Sequence, residues 1–308
     1  MSYFILLFNA VLVIANTAVF SLLICLVAVL KFALPIPAWR GLMTRLADGW
    51  MWCWATVNHG VLALSNRVDW QLNCPEGLSK RAWYLLICNH LSWTDIVVLC
   101  CVFRNQIPMP KFFLKQQLRY VPFVGMACWA LNMPFMRRYS RAYLLRHPEK
   151  KGQDLEATRR ACLQFRHHPT TVVNYVEGTR YTPQKRISSQ SPYRHVLAPK
   201  SGGIGYAMST MGEQFNAVID VTLAYPDNRD TPFRDLLMGK MTRIVVDVQV
   251  RSVDPIQGNY FTDKQFKRHF QAWLHQVWQD KDEHLDRVYN DQHVACSTDC
   301  EAIKNSPQ

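Results

Sequence analysis

Between Met1 and Leu30 the sequence carries no charged residue of either sign, and no later stretch is long and apolar enough to cross a membrane. As a helix, Phe4 to Leu30 would measure about 40 Å, enough to traverse a ~30 Å hydrocarbon core with some tilt. A cleavable signal peptide is the alternative to a retained anchor, but it would be expected to have a basic n-region and a shorter apolar core, and neither is present. Asn9 and Asn16 are the only strongly polar interruptions. The ten cysteines, at 25, 53, 74, 88, 100, 101, 128, 162, 296 and 300, include no C-x-x-C pair and no zinc-type spacing. They read as buried, reduced thiols in a cytosolic environment, with no motif to make one a nucleophile. His167-His168 and His269 have no partner ligands at metal spacing, so no metal site is expected. Internal repeats and low-complexity tracts are also lacking.

Acidic residues are scarce in the middle of the chain. Between Arg104 and Lys200 eighteen lysines and arginines stand against four acids, Glu149, Asp154, Glu156 and Glu177, within a formal net charge of +12. Such a bias suits anionic lipid headgroups or a phosphate-bearing substrate. It would serve nucleic acid equally, but an uncharged N-terminal segment and the absence of any nucleic-acid module argue against that partner. Arg159, Arg160 and Arg166 fit the solvated face of a helix beginning near Asp154.

Against these absences stand two polar clusters, each following an apolar run. Trp83-Tyr84-Leu85-Leu86-Ile87-Cys88 leads into Asn89-His90-Leu91-Ser92-Trp93-Thr94-Asp95. Positions five apart on a regular helix diverge by about 140°, so His90 and Asp95 cannot share one helix face. They can meet if His90 lies in the loop before a helix and Asp95 in its first turn, with Ser92 as cap. Ser92-Trp93-Thr94-Asp95 is also an S-x-x-D capping box, which needs no active site. The second cluster is Val172-Val173-Asn174-Tyr175-Val176-Glu177-Gly178-Thr179-Arg180.

Taken together, the two clusters resemble the lysophospholipid and glycerol-phosphate acyltransferase family, whose hallmarks are an N-H-x4-D block followed later by an E-G-T-R block. Phe135-Met136-Arg137-Arg138 is similar to that family's F-I-x-R element, with Met for Ile. The stretches from His195 to Gly203 and from Val218 to Tyr225 look like the branch of lysophosphatidic-acid and lysocardiolipin acyltransferases. The resemblance spans residues 81 to 225. It implies that His90 is a general base oriented by Asp95, and that Glu177, Gly178, Thr179 and Arg180 form the acceptor site. Arg138, or Arg137 beside it, would be a second phosphate ligand. For Glu177 two roles are open, direct substrate contact or pairing with Arg180 to shape the loop. No cofactor is implied beyond an acyl-CoA or acyl carrier protein thioester as co-substrate, with a lysophospholipid as acceptor. A non-catalytic binder of anionic lipids and a thioesterase are the rival readings.

The expected architecture is an α/β domain over 81–289, a mixed sheet flanked by helices. Strand candidates are 83–88, 171–176, 217–224 and 244–250. Phe266, Phe270, Trp273, Leu274 and Val277 form one apolar helical stripe. Residues 1–30 would anchor the chain, 31–80 form a Trp-rich membrane-interface segment, and 290–308 a fraying polar tail. Within 31–80, the stretch from Gly49 to Leu64 fits an interfacial helix or a core helix under the domain, interrupted by Asn58 and His59. The resemblance adds a third geometry, a helical pair dipping into one leaflet. Lys31, Arg40 and Arg45 follow the anchor and nothing basic precedes it, which places the domain on the cytoplasmic side of a bacterial inner membrane or its equivalent.

Overall fold

The computed structural model describes residues 2–133, 135–136, 146–147, 163, 165 and 168–304. Arg137, Arg138, Cys162 and the helix expected near Asp154 lie outside the described residues, as do the side chains of Cys296 and Cys300.

Among the described residues six strands build a mixed sheet, and each strong candidate from the sequence is one of them. β1 (Asp69–Asn73), β2 (Tyr84–Cys88), β3 (Pro110–Phe112), β6 (Thr171–Tyr175), β7 (Ala217–Ala224) and β8 (Arg243–Arg251) lie in the order β1-β8-β7-β2-β6-β3. The β2–β6, β2–β7 and β3–β6 pairs are parallel, whereas β7 and β8 are antiparallel. A separate two-stranded ribbon pairs β4 (Leu114–Lys115) with β5 (Phe135–Met136).

β2 explains why its sequence is apolar throughout. Tyr84, Leu86 and Cys88 face one core, while Leu85 and Ile87 face another on the opposite side. A strand covered on both faces has no polar positions to alternate with. After the short α5 (Pro183–Ser188), the second core is closed by α6 (Ser201–Met211) and, past the short α7 (Pro232–Leu237), by α8 (Lys264–Lys304), which buries Phe270, Leu274, Val277 and Trp278.

Two boundaries differ from the sequence expectation. The sheet begins before residue 81, because β1 pairs in parallel with β8 from Asp69 to Asn73. All five β1 residues are exposed, so this edge strand carries no apolar alternation to betray it. At the other end α8 continues to Lys304 instead of fraying near Tyr289. Neither proline nor glycine interrupts 264–304, so nothing local breaks the helix.

The first core is shared with the N-terminal segment. α1 (Ser2–Ala33) and α2 (Pro37–Ser65) form an antiparallel hairpin. Asn16 Nδ2 donates to Asn58 Oδ1 at 2.9 Å and to the Trp54 carbonyl at 3.1 Å. Asn9 Nδ2 donates to Ser65 Oγ at 2.8 Å and to the Leu237 carbonyl at 2.9 Å. The polar interruptions of the apolar run are therefore clamps, satisfied where an unpaired amide would be costly. Ile24, Val27, Ala28, Met43, Ala47 and Leu62 pack with Leu86, Val98 and Leu223 into the first core. The opposite face of α1 exposes Phe4, Leu7, Phe8, Val11, Ile14, Leu22, Leu26 and Val29. Phe32, at its C-terminal end, stacks on Trp129 of α4 (Val124–Ala130) at 5.5 Å. Cys53 on α2 is exposed, a departure from the buried thiols expected.

Candidate active site

The site lies where β2, β6 and β7 end side by side. The first residue past β2, Asn89, extends the pairing with its side chain. Its Nδ2 donates to the Leu223 carbonyl at 2.9 Å, and its Oδ1 accepts the Leu223 N–H at 2.8 Å. The loop that follows is thereby pinned to β7.

His90 and Asp95 meet as the loop-and-first-turn geometry requires. α3 (Thr94–Val102) starts just before Asp95, whose buried carboxylate turns back over the loop. Its Oδ2 lies 2.7 Å from His90 Nδ1 and accepts the Leu91 and Ser92 N–H groups at 2.8 and 3.0 Å. Its Oδ1 accepts the Tyr225 hydroxyl at 2.8 Å. With an acceptor-only carboxylate on Nδ1, that nitrogen carries the proton and Nε2 keeps its lone pair. The capping box is half formed. Asp95 reaches back to Ser92, but Ser92 Oγ accepts from Thr94 N–H at 3.3 Å, and Trp93 holds the cap position without a side-chain bond.

The imidazole is 17% exposed and lies flat on the Tyr175 ring, with centroids 4.0 Å apart and planes 17° from parallel. Phe112 supports Tyr175 from behind at 6.2 Å. One face of the His90 ring is thereby covered by Tyr175.

The second cluster is bonded directly to the first. Tyr181 N–H donates to the His90 carbonyl at 2.7 Å. Gly178 adopts φ +73°, a left-handed turn in which a side chain would be strained. Thr179 Oγ1 accepts from Lys185 Nζ at 2.9 Å. Arg180 is exposed, and its guanidinium carbon lies 5.0 Å from the Trp93 ring centroid, so the two motifs also meet through a cation–π contact.

Glu177 departs from both roles expected of it. It neither contacts an open site nor pairs with Arg180, being 0% exposed. Its Oε1 accepts the His90 N–H at 3.2 Å and its Oε2 the Leu197 N–H at 2.9 Å. Adjacency in sequence suggested a pair, but Glu177 turns inward to main-chain N–H groups while Arg180 lies exposed over Trp93. Burial pushes this carboxyl up to about 8, against the opposing pull of the two N–H groups. Such a group keeps in the fold a proton that the unfolded chain releases near pH ~4.3, so stability falls as pH rises through that window. Glu177→Gln is expected to flatten the slope of melting temperature between about pH 5 and pH 8. Parallel slopes for the two proteins would show that Glu177 does not titrate there.

An apolar cavity of about 360 Å³ adjoins this site, lined among others by Val13, Ile24, Trp54, Trp93, Ile96 and Ala127. It lies between the α1–α2 hairpin and α3 and α4. Sequence reasoning gave no role to Asn89, Tyr175 or Tyr225. Two signals were available: each lies in a stretch that carries the family resemblance, and each stands at the end of a strand on the edge where parallel sheets gather their sites.

The mixed α/β sheet flanked by helices is a fold already seen in an acyltransferase of known structure. The Acyltransferase family model matches residues 71–225, half of the chain, and the chain belongs to that family. Lysocardiolipin acyltransferase 1 of Danio rerio is 27% identical over 221 residues, covering 67% of this chain and 52% of that protein. The 1-acyl-sn-glycerol-3-phosphate acyltransferase delta of Mus musculus is 27% identical over 189 residues, covering 58% of this chain and 45% of that protein. This chain thus spans about half the length of the curated relatives it matches. The crystal structure of the 1-acyl-sn-glycerophosphate (LPA) acyltransferase PlsC from Thermotoga maritima superposes with a TM-score of 0.52 at 16% identity. That superposition covers 91% of this chain and 98% of PlsC, and the two share the fold.

Proposed function

We propose that this protein is a membrane-bound O-acyltransferase that moves a fatty acyl group from an acyl thioester to the free hydroxyl of a lysophospholipid. The acceptor that fits best is 1-acyl-glycerol-3-phosphate, giving phosphatidic acid. The observation that carries this reading is the His90 imidazole, locked by Asp95 with Nε2 as its free base, beside an exposed arginine and an apolar cavity.

The chemistry follows from those groups. The acceptor hydroxyl attacks the thioester carbonyl while His90 Nε2 takes its proton, and Asp95 stabilises the imidazolium that forms. The tetrahedral intermediate then collapses, expelling the thiolate, which recovers the proton from His90. A covalent acyl-enzyme is not needed, because the thioester is already activated. Arg180, held over Trp93 with its fork of donors exposed, suits the acceptor phosphate. The cavity beside Trp93 suits an acyl chain, and coenzyme A or an acyl carrier protein would supply it.

The hairpin supports a particular membrane geometry. α1 packs along the domain from Asn9 to Phe32 while exposing an apolar stripe on its far side. A helix tied to the domain along its length suits burial in one leaflet together with the site. A separate crossing would pull it away from the domain. Lys31, Arg40 and Arg45 suit the anionic cytoplasmic leaflet, which supports a domain on the cytoplasmic face.

The test is thiol release from acyl-CoA and acyl carrier protein, with and without lysophosphatidic acid, lysophosphatidylinositol or lysocardiolipin. Release that depends on lysolipid, with acyl product formed, is the expected result. Release without acceptor would make the protein a thioesterase, and no release would make it a lipid-binding protein. Arg180→Lys is expected to raise the acceptor KM about tenfold and leave the donor KM unchanged, because a point charge cannot reproduce the fork. Equal changes in both constants would remove Arg180 from the acceptor site.

A further inference from the structure

Asp95 is held by more than its histidine. Of the four donors on its carboxylate, three come from the loop it caps and all three bind Oδ2. The fourth alone takes Oδ1, and it comes from a residue 130 positions away, Tyr225. Tyr225 directly follows β7, and β7 pairs with β2 in a register that aligns Val221 with Cys88. The sheet itself therefore delivers the phenol to the carboxylate. Tyr225 is almost fully buried, beyond reach of either substrate, and its hydroxyl makes no other hydrogen bond among the described residues.

We propose that Tyr225 is a positioning residue for acyl transfer, fixing the Asp95 carboxylate so that Oδ2 stays on His90 Nδ1 and tempering the charge that the carboxylate presents to the imidazole. The inference rests on the assignment of His90 as the base. Without the phenol, Oδ1 is a buried acceptor with no partner, and the carboxylate is free to rotate about its Cβ–Cγ bond. Its undiluted charge would also favour imidazolium more strongly. The other titratable groups within electrostatic reach of Asp95 are His90, Cys88 at the end of β2, Tyr175 and Glu177 at the end of β6, and Tyr289 on α8. Lys281 on α8 lies one layer further out, acting on Cys88 and Glu177. All of these side chains remain in place in Tyr225→Phe, which removes one hydroxyl and no charged group.

The experiment is the pH dependence of kcat/KM for wild type, Tyr225→Phe, and enzyme with 3,5-difluorotyrosine incorporated at position 225, with His90→Ala as control. Tyr225→Phe is expected to lower kcat about tenfold, the effect of one lost bond to a charged group, with both KM values unchanged. Its acid limb should move to higher pH by roughly half a unit or more. The fluorinated phenol is a stronger donor and should move the same limb to lower pH. Opposite displacements cannot arise from lost packing. An acid limb that stays put in both proteins, with activity tracking only the folded fraction, overturns the proposal. If His90→Ala retains activity, it is the base assignment that fails; if it is inactive while the limb is immobile, only the role of Tyr225 fails.

Discussion

His90→Ala is expected to lower acyl transfer by roughly a thousandfold or more while leaving the protein folded and membrane-bound, the scale of a positioned general base. The two halves of that expectation have separate causes. Activity falls because His90 is a partly exposed base held by a carboxylate, and the nearby Glu177 is fully buried. The fold survives because the imidazole contributes one of four hydrogen bonds to Asp95. Leu91 N–H, Ser92 N–H and the Tyr225 hydroxyl remain, so no buried anion is stranded. The loop also keeps its main-chain bonds to Glu177 and Tyr181, which do not involve the ring. Purified protein in detergent should show an unchanged melting curve to within a few degrees and no acyl transfer above background. Near-normal turnover by the folded variant would end the assignment of His90 as base.

What the sequence revealed and what it hid divide along physical lines. β2, β6, β7 and β8 were legible because each is covered on at least one face and spells that out in consecutive or alternating apolar residues. β1 was illegible because an exposed edge strand has no such signature. The His90–Asp95 pair could be read because its two members lie five residues apart, so local geometry limits how they can meet. Glu177 was misread for the same locality. Arg180 is its near neighbour in sequence, yet its hydrogen bonds go to residues 87 and 20 positions distant. Asn9 and Asn16 read as flaws in an apolar span, since their partners Ser65 and Asn58 lie 56 and 42 residues away. Tyr225 belongs with them. The contacts that hold this site rigid are its long-range ones, and a linear pattern does not carry them.

If acyl transfer is the function, as proposed, Ala127→Phe is expected to shift the preference from long acyl donors toward short ones, and the size of that change follows from the cavity. Ala127 is a small, buried wall residue on α4, facing across about 360 Å³ toward Ile24 and Trp54 of the hairpin. A phenyl group there would displace about three or four methylenes of a bound chain. At about 0.8 kcal/mol for each methylene left outside apolar surroundings, the loss is ~2–3 kcal/mol, or roughly a hundredfold in kcat/KM. A decanoyl donor that ends short of the obstruction would lose none of this. Overpacking brings its own cost of ~1–3 kcal/mol in stability. The measured quantity is therefore the ratio of kcat/KM for palmitoyl and decanoyl donors within one preparation, from which any loss of folded protein cancels. A ratio equal to that of the wild type would mean that the acyl chain lies elsewhere. A collapsed ratio with His90 chemistry intact would mean that the N-terminal hairpin builds one wall of the acyl site, in addition to the membrane role proposed for it.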